Sequence, residues 1–242
     1  MGLAVRIIPT LLKRGDALVK GERFNGWRSV GHVQQAAQIH QARGVDELIV
    51  LDIGATPEGR GPDFAAVRRL TERCFMPLTV GGGVSEFEHM RLLMDAGADK
   101  VAWRTGLVRC PGALARSAAT FGSQACVAAI DVQDGMVFSA AAPPADFAYY
   151  ATMQLGAGEI LLTSMDREGT MAGYDLDLIR DVCAAVDVPV IAHGGCSGYE
   201  DTLAAIRAGA SAVAAGALFQ FTDCTPRGAA EYLHEHGIEV RL

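Results

Sequence analysis

Two glycine pairs, each placed between a strand-like and a helix-like segment, carry the clearest chemical potential in the sequence. Gly82-Gly83 follows Pro77–Gly81, and Gly194-Gly195 follows Pro189–His193. Glycine lets backbone N–H groups approach a phosphate, and the N-terminus of the next helix adds a favourable partial charge. A simple tight turn explains most isolated glycine pairs. Two pairs in equivalent settings predict two phosphate sites, which the ends of the next strands would complete at Arg104, Thr105, Ala215 and Gly216.

The elements that must position these glycines alternate along the chain. Short β-branched runs are separated by amphipathic stretches, which is the pattern of a parallel sheet with crossover helices. Helices are predicted, for example, at His32–Arg43, Glu86–Ala96, Leu176–Ala185 and Tyr199–Ala208. The predicted strands are Arg6–Leu11, Glu47–Asp52, Pro77–Gly81, Lys100–Arg104, Cys126–Asp131, Glu159–Ser164, Pro189–His193 and Ala212–Gly216.

Eight such units in 242 residues have the size of a closed barrel. The sequence therefore predicts an α/β protein with one domain over residues 1–242, a (β/α)8 TIM barrel. An open doubly wound sheet is the alternative architecture. It would require a G-x-G-x-x-G turn after its first strand, and the sequence has none there.

An internal repeat supports closure of the barrel. The segment Pro77–Ser85 aligns with Pro189–Ser197 at an offset of 112 residues, and the alignment continues without gaps to Ala98 and Ala210. Both prolines and both glycine pairs fall at matching positions. The repeat predicts that two half-barrels arose by duplication. In such a barrel, ligands bind at the carboxyl ends of the strands.

Composition excludes several classes of function. The formal net charge is −7 and no run of Lys or Arg offsets it, which argues against a nucleic-acid partner. No apolar run approaches the roughly 20 residues that cross a bilayer. The N-terminal segment from Met1 lacks a long apolar core and a cleavage site, so we expect a cytoplasmic protein. The six cysteines show no C-x-x-C spacing, so neither a zinc site nor redox use is expected, and buried reduced thiols are the better interpretation.

Several motifs together resemble the cyclase subunit of imidazole glycerol phosphate synthase, and the resemblance covers essentially the whole chain. The segment Gly158–Ser164, followed by Asp166–Thr170, is close to a signature of that subunit, and it brings Glu168 and Gly169 into the second phosphate site. The other motifs are Arg6–Pro9, Val19–Gly21, Asp46–Leu48, Leu51–Ile53, Val80–Gly83, Ala98–Val101, Phe121–Gln124 and Ala129–Asp131.

The resemblance implies an ammonia-using barrel without a cofactor. In that family, a separate class I glutaminase docks on the bottom face, and its ammonia passes through the barrel core. At the top, the ammonia attacks a bis-phosphorylated ribulosyl intermediate, which is split and cyclised. Two aspartates, after the first and fifth barrel strands, perform the acid–base work.

This sequence keeps only one of these aspartates. Asp131 matches the second one, whereas the gapless alignment from Arg6 puts Leu12 at the first. Leucine cannot transfer a proton, and one acid–base partner typically contributes about 10²–10⁴ in rate. Two residues of the same loop, Lys13 and Asp16, are candidate substitutes, but catalysis needs placement at the strand end. With Lys20, Asp131 marks a residual or repurposed pocket.

Other departures from the family lie on the same top face. Trp103-Arg104 stand where the family has a smaller apolar residue and Asn. Arg104 would either bind phosphate through a bidentate contact or fill the site and exclude it. His193 replaces a small residue before the second glycine pair, where a structural role is the more common one. The segment after Asp131 is shorter than in the family.

The bottom face, in contrast, matches the family. There, charged residues at the amino ends of strands 1, 2, 4 and 6 form a ring that gates ammonia. Here they are Arg6, Glu47, Lys100 and Glu159. Such charges can also simply pair and stabilise the barrel. Asp99 matches a family residue at the glutaminase interface.

This combination favours a barrel that still docks a glutaminase and conducts ammonia but has changed its chemistry. Ala55–Arg60, Cys74–Leu78 and the pair Leu11-Leu12 resemble a branch that amidates bacterial surface sugars to acetamidino groups. In that branch a third, ATP-using protein activates the sugar amide. A working cyclase of histidine biosynthesis and a non-catalytic scaffold for the glutaminase are the alternatives. A sister phosphosugar isomerase would need the same two aspartates, so Leu12 counts equally against it.

Overall fold

The structure is a computed structural model that describes residues 4–242. Residues 1–3, which begin the N-terminal segment considered as a targeting signal, lie outside the described part of the chain. Within that part, none of the helices combines the length and the apolar character needed to span a bilayer.

Eight parallel strands close into a barrel, as the sequence predicts. The strands are β1 (Arg6–Arg14), β2 (Ala17–Glu22), β3 (Asn25–His32), β4 (Leu48–Asp52), β5 (Leu78–Gly81), β6 (Lys100–Trp103), β7 (Cys126–Gln133), β8 (Met136–Val137), β9 (Glu159–Ser164), β10 (Val190–His193) and β11 (Ala212–Ala215). The barrel strands are β1, β4, β5, β6, β7, β9, β10 and β11, and β11 pairs with β1 to close the ring.

Helices cover the outside of the barrel between its strands. A short 3₁₀ turn (Ser123–Ala125) precedes β7, and a π-helical turn (Tyr150–Gln154) continues α6. The α-helices are α1 (Val33–Ala42), α2 (Phe64–Thr71), α3 (Phe87–Asp95), α4 (Thr105–Arg109), α5 (Pro111–Phe121), α6 (Pro144–Tyr149), α7 (Leu176–Ala185), α8 (Tyr199–Arg207), α9 (Ala217–Phe221) and α10 (Pro226–Glu235).

The two halves of the barrel repeat each other closely. The elements β5, α3, β6 and α4 each begin and end 112 residues before β10, α8, β11 and α9. The caps repeat as well. The Asp63 side chain accepts a hydrogen bond from Ala66 N at the start of α2, and Asp175 accepts one from Leu178 N at the start of α7. These matches confirm the predicted duplication.

Two antiparallel additions were not predicted. The β2–β3 hairpin follows β1, and the short strand β8 pairs with the end of β7. Strand β3 is mostly exposed and polar, so no hydrophobic alternation marks it. These additions also correct two predicted ends: β1 runs to Arg14 rather than Leu11, and β7 runs to Gln133 rather than Asp131, because each continues into an antiparallel pairing.

The core has two layers. The larger layer lies between the barrel and the helices, and it includes Trp103, which is fully buried. The smaller layer fills the barrel interior with apolar side chains, and four of its members are alanines. Its buried members are Ile8, Ile49, Ala102, Val127, Ala129, Leu161, Ile191, Ala212 and Ala214.

Candidate functional site

A cavity of about 430 Å³ opens at the carboxyl ends of the barrel strands. Apolar side chains from the barrel interior form its floor, among them Leu51, Ala102, Ala129 and Leu161. Several residues singled out from the sequence meet on its walls. They are Leu12, Gly82, Gly83, Arg104, Thr105, Asp131 and His193. The structure therefore brings these residues together at one face of the barrel.

The remaining candidate acid–base residue is held in an ion pair. Arg104 Nη1 donates to Asp131 Oδ2 at 3.0 Å, and Asp131 is only 7% exposed. Burial raises the pKa of the Asp131 carboxyl above its ordinary value, although Arg104 opposes this shift. The Arg104 side chain is 38% exposed and makes no other hydrogen bond within residues 4–242. The Arg104 side chain therefore lines the cavity without filling it.

Neither Lys13 nor Asp16 takes the place of an aspartate at Leu12. Its side chain lines the cavity, whereas Lys13 points away from the barrel interior, as alternation along a strand requires. Lys13 Nζ is buried and binds Asp52 Oδ2 at 2.9 Å and Asp63 Oδ2 at 3.2 Å. Asp16 is exposed and pairs with Arg69 on α2. Neither of the two candidate substitutes reaches the position at the strand end.

Asp52 anchors a charge network that the sequence did not predict. Arg60 Nη1 and Nη2 each lie 3.0 Å from an Asp52 oxygen, and Gly54 N donates to Asp52 Oδ1 at 3.0 Å. Burial would raise the pKa of Asp52, but hydrogen bonds from Arg60 and Lys13 outweigh it and lower that pKa. The network fixes the loop after β4 against the cavity, and its ionised carboxylate is fully engaged with protein groups.

The first glycine pair is required by close packing. Gly82 and Gly83 have φ values of 113° and 72°, a region that side-chain-bearing residues rarely adopt. A Cβ on Gly82 would overlap the backbone of Asp52, and one on Gly83 would lie 2.7 Å from Arg60 O. The turn explanation therefore accounts for both glycines. Their position on the cavity wall, beside Thr105, remains compatible with a phosphate.

The second glycine pair has the same geometry but a different surrounding. Gly194 and Gly195 have φ values of 95° and 100° and face Ser164 and Gly173, which are the equivalents of Asp52 and Gly61 in the first half. The cavity at this position measures only about 10 Å³. It is lined by Glu168, Gly169, Met171, His193, Gly194, Gly195, Cys196, Ala214, Ala215, Gly216 and Ala217.

Lys20 occupies the space that this second site would need. A Cβ on Gly216 would overlap Lys20 Nζ, which donates a long hydrogen bond of 3.4 Å to Thr10 O. Burial lowers the pKa of Lys20 to about 8, although Glu168 opposes the shift. Burial also raises the pKa of Glu168, whose Oε2 has no hydrogen-bond partner within residues 4–242. We call the space beside Gly82-Gly83 the first cradle and the space beside Gly194-Gly195 the second cradle. The second cradle is thus filled by ionisable side chains of the protein.

His193 lies between the two cradles and is neutral near pH 7. Its Nδ1 is 3.2 Å from Thr163 Oγ1. Burial lowers the pKa of His193 to about 4, and the nearby charge of Lys20 adds to the shift. A neutral imidazole bonded to a hydroxyl fits the structural role expected for a histidine after a strand.

The four charged residues of the bottom face form a closed ring. Arg6 contacts both Glu47 and Glu159, and Lys100 Nζ lies 3.1 Å from Glu47 Oε2 and 2.7 Å from Glu159 Oε2. The two glutamates are buried, whereas the Arg6 and Lys100 side chains are 25% and 20% exposed. Thr79 Oγ1 also donates to Glu47 Oε1 at 2.6 Å. Charges of alternating sign therefore close the barrel below its apolar interior.

Asp99 has a structural contact of its own. Its Oδ2 accepts a hydrogen bond of 2.8 Å from Leu78 N, at the start of β5. The carboxylate thus secures the bottom end of a barrel strand. Its role at a partner interface stays a prediction.

Three aromatic residues that sequence reasoning missed line the cavity. Phe24 and Trp27 come from the β2–β3 hairpin, and Phe138 follows β8. They were missed because both antiparallel additions were missed. The only sequence signal was the presence of large aromatic residues in otherwise polar segments, Arg23–Arg28 and Gln133–Ser139.

Comparisons with known proteins agree with the geometry. Residues 6–225 match a family described as "Histidine biosynthesis protein". The chain is 43% identical over 256 residues to "Imidazole glycerol phosphate synthase subunit HisF" of Mycobacterium tuberculosis, covering 99% of this chain and 96% of that protein. Proteins of the same name from Pyrobaculum aerophilum and Methanopyrus kandleri are 44% and 39% identical over 253 and 270 residues. These alignments cover 100% of this chain and 100% and 99% of the two relatives.

The fold, the residues at both ends of the barrel and these matches lead to one conclusion: the chain belongs to the histidine biosynthesis protein family that includes subunit HisF of imidazole glycerol phosphate synthase.

Proposed function

We propose that this chain is the ammonia-conducting barrel subunit of a glutamine amidotransferase. A class I glutaminase binds the bottom face, and ammonia passes through the barrel to an acceptor at the top face. The acceptor is a sugar amide of surface polysaccharide biosynthesis, which becomes an acetamidino group. A third, ATP-using protein activates this amide. The reaction takes place in the cytoplasm, where glutamine and ATP are supplied.

The observation that carries the proposal is that the top face lacks one of the two expected aspartates and holds the other in an ion pair. Leu12 lines the cavity where the family resemblance implies an aspartate, and Lys13 and Asp16 bind other partners. The second aspartate, Asp131, is buried in an ion pair with Arg104. Cyclisation needs proton transfer at both positions, and a leucine at one of them removes about 10²–10⁴ in rate. The cavity itself remains open.

The charged ring of the bottom face supports the proposed binding of a glutaminase there. Two of the ring residues, Arg6 and Lys100, keep part of their charge at the surface, where a docking protein would meet them. The ring lies directly below the apolar interior that leads to the cavity floor at Ala129. A neutral molecule such as ammonia crosses an apolar interior at far lower cost than ammonium does.

Genuine cyclase activity is the second candidate function. It is favoured by the identity of 39–44% to the HisF subunits over essentially the whole chain. A scaffold that only stabilises the glutaminase is the third, and it requires no passage through the core. The source of the transferred nitrogen separates the scaffold from the conducting barrel, and turnover of the bis-phosphorylated ribulosyl intermediate separates the cyclase.

The test follows the source of the transferred nitrogen. The chain, its glutaminase and the ATP-using partner are supplied with ¹⁵N-amide glutamine, excess unlabelled ammonium and the sugar amide. Mass spectrometry then reads the isotope in the amidine product. Ala129→Trp fills the core, and Phe75→Trp, at a side chain that is 81% exposed, serves as the matched control.

A conducting barrel predicts ¹⁵N in the product for the native chain and for Phe75→Trp, and unlabelled nitrogen for Ala129→Trp. Unlabelled product from the native complex contradicts the proposal. Labelled product that survives the Ala129→Trp plug contradicts conduction through the core. The scaffold instead predicts unlabelled product from the native complex, because ammonia released to solvent mixes with the unlabelled pool.

A further inference from the structure

Three aromatic side chains form a rim at the mouth of the large cavity. Phe24, Trp27 and Phe138 all line it, and Phe138 is 59% exposed. An exposed aromatic ring over a concave site is costly to leave in water, since each ring carries a large apolar face. We refer to these three residues as the aromatic rim.

The aromatic rim is held in place by backbone contacts rather than left on loose loops. Phe138 N donates to Asp131 O at 2.9 Å, which ties this ring to the end of β7. On the other side, Arg23 N donates to Glu168 O at 2.8 Å and anchors the hairpin tip. Trp27 lies against Gly21, where a Cβ would come within 2.9 Å of its Cε3 atom. Preorganised aromatic rings lose little entropy on binding a ligand.

The rim residues come from opposite sides of the opening. The hairpin that carries Phe24 and Trp27 extends from β1, and Phe138 extends from β7. These are the first and fifth of the eight barrel strands, so they lie on opposite sides of the barrel. Aromatic side chains therefore line the cavity on two sides.

Below the rim, the cavity wall offers donors for an anion. Arg104 uses one N–H on Asp131, and its other N–H groups have no hydrogen-bond partner within residues 4–242. The backbone of Gly82 and Gly83 lies on the same wall, beside Thr105 at the start of α4. Guanidinium and backbone N–H groups together suit the paired oxygens of a phosphate or diphosphate.

We propose that this cavity binds a nucleotide-linked sugar, with its base against the aromatic rim and its diphosphate beside Arg104 and Gly83. The volume of about 430 Å³ falls in the range typical of sites for molecules of this size. The identification of the sugar as the ammonia acceptor rests on the proposed function, whereas the binding itself does not.

Binding is measured with uridine diphosphate N-acetylglucosamine as the probe. The chain contains two tryptophans, and one of them, Trp103, is fully buried. In a Trp103→Phe protein, the fluorescence of Trp27 reports on the rim directly. Calorimetric titrations of the native chain with the probe, uridine diphosphate, N-acetylglucosamine and pyrophosphate assign the contributions of the base, sugar and phosphates.

We expect quenching of Trp27 and an affinity for the probe at least tenfold higher than for pyrophosphate. Phe138→Ala weakens probe binding about tenfold, because stacking on a base is worth that much per aromatic side chain. The same variant leaves the affinity for pyrophosphate within twofold. Phe75→Ala, at an exposed phenylalanine on the opposite face, changes neither affinity. Thermal unfolding shows that each variant is folded.

Equal affinity for the probe and pyrophosphate, or unchanged probe binding in Phe138→Ala, overturns the inference. If N-acetylglucosamine binds more tightly than uridine diphosphate does, the placement of the base at the rim is overturned. Absence of probe binding together with ¹⁵N transfer through the barrel contradicts this inference but not the proposed function. Probe binding together with unlabelled product contradicts the proposed function but not this inference.

Discussion

Arg104 Nη1 lies 3.0 Å from Asp131 Oδ2, so the retained candidate aspartate is paired within the protein before any ligand arrives. Arg104 also lines the cavity, and its other N–H groups have no hydrogen-bond partner within residues 4–242. The two residues thus connect the altered chemistry of the top face with its capacity to bind an anion.

Replacement of Arg104 by Asn should destabilise the protein more at pH 8 than at pH 5. Asp131 already has a pKa that burial raises, and loss of Arg104 raises it further. A carboxyl whose folded pKa is raised loses stability as pH increases from its ordinary pKa through its folded one. We expect a loss of about 2 kcal/mol at pH 8. Urea unfolding of Arg104→Asn and of a double variant with Asp131→Asn measures it; equal losses at both pH values in Arg104→Asn would argue against the coupling.

Lys100→Met should cost about 3 kcal/mol of unfolding free energy, because it removes one of two cations that neutralise the buried carboxylates of Glu47 and Glu159. Arg91→Met is the matched control. Arg91 also bridges two carboxylates, on Glu88 and Asp95, but all three side chains are exposed, so its loss should be much smaller. Comparable losses in the two variants would show that the ring is not a buried network.

His193→Asn should make the protein less sensitive to acid. The pKa of His193 is about 4 in the folded protein, below its ordinary value, so the unfolded chain binds the extra proton as pH falls from about 6.5 to 4. This histidine alone removes up to about 3 kcal/mol across that window. Guanidinium unfolding at pH 7.5 and pH 4.5 gives the difference for native and variant protein. An identical difference in both would mean that His193 is not buried and neutral.

Phosphate should bind at one cradle before the other. The first opens into the cavity of about 430 Å³, whereas the second measures about 10 Å³ and holds Lys20. A space that small admits about one water molecule. Calorimetry with inorganic phosphate should therefore give one site per chain, weakened by Arg104→Asn. Two equal sites per chain would show that Lys20 moves aside readily.

Much of the fold follows from local features of the sequence. The glycine pairs, their flanking prolines and the repeat at an offset of 112 residues suffice to predict a closed, duplicated barrel, since each half imposes the same turns and the same helix caps. The β2–β3 hairpin could not be predicted this way. Its second strand is polar and exposed, and its geometry depends on contacts with distant residues such as Glu168.

The position of the candidate site was predictable from the sequence, but the pairing of its side chains and the space left open were not. Strand ends place Leu12, Arg104 and Asp131 on one face, but nothing in their spacing shows that Arg104 binds Asp131. Likewise, the overlap of Lys20 with the second cradle depends on Gly216, nearly two hundred residues later in the chain. Such contacts between distant segments decide which sites are open, and a local pattern does not contain them.

The most direct test of the account is turnover of the bis-phosphorylated ribulosyl intermediate with excess ammonia at alkaline pH. Free ammonia removes the need for the glutaminase. The native chain, Leu12→Asp and the matched control Leu12→Asn are compared by product formation. The account predicts no turnover by the native chain or by Leu12→Asn, with any activity confined to Leu12→Asp. Turnover by the native chain at about 1 s⁻¹ or faster, as ordinary enzymes achieve, would contradict it and identify a histidine-pathway cyclase.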